Sequence, residues 1–92
     1  MRQIERTNAF KSDYKREARG RYRAVLEKDF PDLLELLIVD KALPVRCCDH
    51  ALSGDWKDHR DCHIRPDLIL IYRKPDNKLQ LVRLGSHSEL GL

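Results

Sequence analysis

The stretch DHALSGDWKDHRDCH, residues 49–63, holds His50, His59 and His63, and the fourth histidine of the chain is His87. Imidazoles take up and release protons near neutrality. Internal cleavage of RNA uses both actions. A base removes the proton of a ribose 2′-OH, the oxygen attacks the adjacent phosphate, and an acid protonates the departing 5′-oxygen. General acid–base help of this kind is worth about 10²–10⁴-fold. A cation that holds the phosphate as its charge builds often contributes more. His50, His63 and His87 are the candidates for proton transfer. Asp67 can orient a histidine or share the proton work, and the forked guanidinium of Arg83 matches two phosphate oxygens.

Each residue also has an ordinary structural reading. A histidine before a strand is commonly a surface group, RPD (65–67) is a turn, Arg83 is a solvated strand residue, and Trp56 is a core anchor. His59 has no evident partner and reads as surface. Cys47, Cys48, His50, Cys62 and His63 include zinc-ligand types, but adjacent cysteines rarely share an ion and no C-x₂-C pair stands here. Three cysteines, two of them adjacent, do not make a disulfide framework.

The elements that must carry these groups follow from periodicity. RQIER (2–6) reads as a short first strand, and Thr7 or Asn8 can cap the helix after it. Phe10, Tyr14, Ala18, Tyr22 and Leu26 recur every four residues, the apolar stripe of an amphipathic helix. Lys11, Lys15, Arg16, Arg19 and Arg23 line its other face, and Gly20 weakens it. Asp29 and Pro31 predict a restart into a second, largely apolar helix over Leu33–Ile38, ended by Pro44. From Trp56 the period becomes two: Trp56, Asp58, Arg60, Cys62 and Ile64 point one way, and Lys57, His59, Asp61 and His63 the other. LILIYRK (68–74) is apolar on both faces and reads as a central strand. PDNK (75–78) is a hairpin turn and LQLVRL (79–84) the returning strand. Ser86 caps a last helical turn. The order β-α-α-β-β-β predicts an α+β domain, with a small antiparallel sheet and two N-terminal helices on one face.

Ninety-two residues suit one domain, 1–92, with one modest core. The 41% hydrophobic fraction suffices for it, and the 36% charged fraction predicts a wet, salt-sensitive surface. No apolar stretch is long enough to span a bilayer, and the N-terminus has no apolar leader region, so the cytoplasm is the expected location. The net charge of +3 is unevenly spread. Basic ends flank an acidic middle (31–55), which suits a polyanionic partner, nucleic acid or an acidic protein segment.

One pattern at fixed spacings goes further: Asp49-His50, Leu52, Gly54, Trp56, Arg60-Asp61, His63, Pro66-Asp67, the strand to Tyr72, then Arg83, Gly85, Ser86-His87 and Leu90. It resembles the YafQ branch of the RelE/ParE toxin superfamily, small ribosome-dependent messenger-RNA endonucleases of type II toxin–antitoxin pairs. The N-terminal half is similar only in length, helical pattern and basic character. The resemblance implies a RelE-like fold in which His50, His63, Asp67, Arg83 and His87 meet in one cleft. It implies His87 as the acid, with His50, His63 and Asp67 activating the 2′-OH or holding the phosphate. Arg83, Arg60, Lys57, Lys11, Lys15 and Arg19 would contact RNA. It further implies cleavage without a metal or other cofactor, messenger RNA in the ribosomal A site and ribosomal RNA as targets, no membrane, and a DinJ/RelB-like antitoxin as partner. Leu68 and the terminal Gly91-Leu92 depart from aromatic positions of some relatives, which bears on substrate preference. The rival expectations are an inactive RelE-fold module that docks an antitoxin or RNA, and a small zinc-dependent nucleic-acid binder.

Overall fold

The computed structural model describes residues 1–92. In chain order the elements are β1 (Gln3–Arg6), α1 (Asn8–Ala18), α2 (Arg23–Ile38), β2 (His50–Ala51), β3 (Arg60–Arg65), β4 (Leu68–Arg73), β5 (Lys78–Gly85) and α3 (His87–Leu90). Short 3₁₀ turns cover Val45–Cys47 and Gly54–Trp56.

The strands form one sheet in the order β1-β5-β4-β3-β2. The α+β class and the helices packed on one face are as expected. The sheet is mixed, however, rather than wholly antiparallel. β2 through β5 pair antiparallel, while β1 runs parallel to β5, with Gln3 opposite Lys78 and Arg6 opposite Leu81. No hairpin links these two chain-terminal strands, so nothing local imposes the antiparallel sense. β4 is central, and its residues Leu68–Tyr72 are at most 1% exposed, as the doubly apolar run predicts.

The first helix is shorter than its stripe. Phe10 and Tyr14 lie on α1, but the chain turns at Arg19–Tyr22 beside Gly20, and Leu26 belongs to α2. The apolar spacing persists across the break because both helices pack on the same layer. The expected restart at Asp29-Pro31 does not occur; Pro31 sits inside α2. Its missing N–H leaves the Glu27 carbonyl without a helical partner, and both residues are exposed, so water can serve that carbonyl.

The main core lies between the helices and one sheet face. Phe10, Leu26, Phe30, Leu33 and Leu37 pack there on Cys62, Leu70, Tyr72, Leu79, Leu81 and Leu84. The opposite face carries a smaller cluster: Ile69, Ile71 and Leu90, with Leu52, Trp56 and Val82 against it. Alternation along β3 is as read from Arg60 onward, but the strand does not start at Trp56. Asp58 has φ +67° and breaks the run.

Candidate active site

Register explains how distant residues meet. Arg83 on β5 lies opposite Ile71 on β4, Ile71 opposite Asp61 on β3, and Asp61 opposite His50 on β2. The next row holds Gly85, Ile69 and His63. Directly opposed residues share a face, and so do positions two apart along a strand. His50, Asp61 and His63 therefore occupy the sheet face away from the long helices. His87 follows β5 at the start of α3 and joins them there.

His87 is firmly held. Asp67 Oδ1 accepts from the His87 backbone N–H at 3.0 Å and stands 2.8 Å from its Nδ1. A carboxylate only accepts, so Nδ1 carries a hydrogen and Nε2 faces outward. The two bonds from His87 hold the Asp67 carboxyl below its ordinary range. The capping box of α3, Ser86 with Glu89, fixes the helix that presents the imidazole. Gly85 leaves room beneath it: a Cβ there would stand 3.0 Å from an Arg16 guanidinium nitrogen and 3.1 Å from Glu89 Oε1. The His63 ring meets the His87 ring edge-on, centroids 5.3 Å apart.

His50 sits on a two-residue edge strand, but its mooring is strong. The neighbouring Asp49 accepts from the buried Tyr72 hydroxyl at 2.6 Å and from Arg60 Nε at 3.2 Å. His50 Nδ1 lies 2.7 Å from the Cys48 carbonyl. That carbonyl can only accept, so Nδ1 carries the hydrogen and Nε2 is left as a basic nitrogen.

Asp61 is the residue that a search for proton-transfer groups passes over. It is 3% exposed, and its Oδ1 has no hydrogen bond. His50 Nδ1 is 3.0 Å away, but its hydrogen is directed at Cys48. Burial raises the Asp61 pKa, while the charges of His50, His63 and His87 act to lower it, and burial prevails. The period-two pattern did place Asp61 beside His63; its burial was the hidden part.

Arg83 is engaged differently than expected. β5 bulges at Val82–Arg83, and the Arg83 Nε and Nη2 bond the buried Asp13 carboxylate of α1 at 2.6 and 3.2 Å. Its Nη1 makes no hydrogen bond within the molecule. Asp13 also accepts from Leu84 N–H and from Arg16 Nη1. Burial alone would raise the Asp13 pKa, but the Arg83 and Leu84 hydrogen bonds and the two guanidinium charges outweigh it and hold it low. Arg16 extends to the Leu84 carbonyl and to Glu89, tying α1 to α3.

The other proposed RNA contacts are dispersed. Arg60 lies on the helix-side face, bound to Asp49. Lys11 and Lys15 rim a groove floored by Phe10 and Leu26, also on the helix side and not with the imidazoles. Arg19 caps α1, and Lys57 follows the 54–56 turn, both exposed. Arg21, absent from the expected set, is close enough for its charge to act on Asp67.

The zinc reading finds no donor set. Cys47 and Cys62 are buried in the helix-side core, Cys48 is exposed, and no three His, Cys, Asp or Glu side chains gather as metal ligands. Burial pushes the Cys62 thiol up, away from the thiolate a metal requires.

Residues 2–91 match the family model described as the bacterial toxin of type II toxin-antitoxin system, YafQ. The chain is 35% identical over 89 residues to the mRNA interferase toxin YafQ of Escherichia coli K12, covering 95% of this chain and 97% of that one. Among solved structures, YafQ from E. coli BL21(DE3) superposes with a TM-score of 0.84 at 35% identity, 98% of each chain covered. The E. coli DinJ-YafQ complex gives 0.83 at 36%, again with 98% of each chain. A metal-bound toxin from Helicobacter pylori gives 0.81 at 36%, over 98% of this chain and 99% of that one.

Proposed function

The chain belongs to the YafQ family of bacterial type II toxins, and on that premise we propose that it is a messenger-RNA endoribonuclease that cuts in the ribosomal A site without a metal. His50 Nε2 takes the proton of the ribose 2′-OH. The 2′-oxygen attacks the adjacent phosphorus, the bond to the 5′-oxygen breaks, and His87, entering as the imidazolium with hydrogens on both nitrogens, gives its Nε2 proton to that oxygen. The products are a 2′,3′-cyclic phosphate and a free 5′-OH. His63 and the free edge of Arg83 hold the phosphate. Asp67 keeps His87 in one tautomer and orientation rather than acting as the base. Asp61, under the imidazoles, stabilises the positive charge that develops on them.

One observation carries this reading: on a single sheet face His50 lies 3.0 Å from the buried Asp61 carboxylate and the His63 and His87 rings meet 5.3 Å apart, with Nδ1 of both His50 and His87 held by an acceptor. All 92 residues act as one toxin domain. No helix is long and apolar enough to cross a membrane, and a toxin acting on ribosomes works in the cytoplasm. A DinJ-like antitoxin is the partner in this reading. Its acidic segment would meet the basic first helix, and the same surface would meet ribosomal RNA once the antitoxin is gone.

The test is His87→Gln. Glutamine can still bond Asp67 but cannot donate a proton to an alkoxide. Cleavage of translated transcripts, mapped by their 5′ ends, should fall about 10²–10⁴-fold with an unchanged melting temperature. A variant that cuts and arrests growth like the parent refutes the acid assignment.

A further inference from the structure

We propose that the cleft beside the imidazoles is a nucleobase slot, in which the Trp56 indole stacks on the base next to the scissile phosphate and Asp55 selects bases bearing an amino group. The proposal rests on the endoribonuclease reading above and adds what that reading lacks, a means of choosing the base.

The cleft measures about 600 Å³ and opens between the 54–56 turn and the chain's C-terminus. Leu52, Ser53, Asp55, Trp56, Leu90 and Leu92 line it. It lies on the same sheet face as the imidazoles, because Leu52, Trp56 and Leu90 pack on Ile69 and Ile71, the β4 partners of His63 and Asp61. Its walls are extensions of the elements that carry the proposed base and acid. His50 precedes Leu52 by two strand residues, about 6.5 Å. His87 precedes Leu90 by nearly one helical turn, about 5 Å. One nucleotide covers such a distance, so a phosphate at the imidazoles delivers its base here.

The lining suits a base. Trp56 is only partly buried, and an edge contact with the His59 ring, 5.4 Å between centroids, steadies it. Backbone bonds from Trp56 N–H to Ser53 and from His59 N–H to Trp56 hold the turn. A fixed aromatic flanked by leucines stacks on any base. Selection falls to the rim. Asp55 is exposed and forms none of the molecule's ion pairs. A carboxylate only accepts. It therefore accepts from the exocyclic amino group that adenine, cytosine and guanine each carry; uracil has none, and its single ring N–H lies between two carbonyl oxygens that a carboxylate repels. Leu68 is fully buried on the helix side of the sheet and leaves this aromatic role to Trp56.

Trp56 is the only tryptophan of the chain, so its fluorescence reports on the slot directly. The intact toxin is titrated with AMP, CMP, GMP and UMP. The first three should quench at lower concentration than UMP, in the parent and equally in His87→Gln. Asp55→Ala should narrow the gap between UMP and the others while leaving the fold intact. Trp56→Ala should lower cleavage of translated messenger by about 5- to 150-fold, the range of one lost base stack. Absence of quenching by all four nucleotides overturns the slot. So does fluorescence that answers only to an antitoxin, since the cleft is then a protein contact. Undiminished cleavage by His87→Gln would instead refute the acid assignment, with the quenching result standing independently.

Discussion

Asp13 and Asp61 are the two buried acidic residues of the molecule, each 3% exposed, and they are treated in opposite ways. Asp13 has two guanidinium groups and a backbone N–H on its oxygens. Asp61 has an oxygen with no hydrogen bond, beneath imidazoles whose hydrogens are directed elsewhere. Their pKa values move apart accordingly, Asp13 down and Asp61 up. A buried charge that is fully satisfied holds the fold together. One left short of partners costs stability, about 1–3 kcal/mol for an unsatisfied polar atom. Its place beneath the imidazoles gives it a use: a negative charge there stabilises positive charge as it develops on them. The molecule spends one carboxylate on joining α1 to β5 and the other on its proposed chemistry.

Removing the satisfied carboxylate should have the larger effect. Asp13→Ala leaves Arg83 and Arg16 without their shared partner and the Leu84 N–H unmet. Both guanidinium groups are partly exposed and regain water, so the cost is about 2–3 kcal/mol, which chemical denaturation would register as a clear drop in midpoint. Arg83 would also lose its orientation, so cleavage should fall even where the variant still folds. A loss under 1 kcal/mol would show that the three-way contact is dispensable and erase the contrast.

Asp61→Asn should act in the other sense, with a smaller effect. Without the carboxylate, the positive charge that proton transfer places on the imidazoles loses a negative neighbour. Cleavage should fall by up to about tenfold, less than general acid–base help itself is worth, while stability at neutral pH should rise. A variant that is more stable yet cleaves like the parent would make Asp61 merely structural.

The contrast also shows what was legible in the sequence. The unbroken apolar run of β4 and the capped turn after Gly85 are local patterns, and both formed as read. Period two placed Asp61 and His63 on one face. Asp13 stayed silent because the partner that gives it meaning, Arg83, is 70 residues away. The β5 bulge that aims Arg83 at it leaves no composition signal. The break between α1 and α2 was likewise obscured, since the four-residue spacing of apolar side chains runs through it. The convergence of His50, His63, Asp67 and His87 came from resemblance, not periodicity. The physical basis of that convergence is cross-strand register, which no single segment specifies.

The smallest effect is the pH dependence of stability, and its sign separates the two carboxylates. Asp13 has a folded pKa below its unfolded value of about 3.8. Its contribution is present above that pH and is lost as acid passes through the folded pKa. Asp61 has a folded pKa above the same reference, so the native state holds its proton more tightly than the unfolded chain. Stability therefore drops as pH rises from about 4 through the folded pKa of Asp61. Positive charge on His50, His63 and His87 limits the drop, and Asp49 adds to it. The stability difference between Asp61→Asn and the parent should thus be near zero at pH 4 and grow to about 1 kcal/mol by pH 7. Urea midpoints of both proteins across that range measure it. A constant difference would mean that asparagine alters packing alone, and that Asp61 is no less satisfied than Asp13.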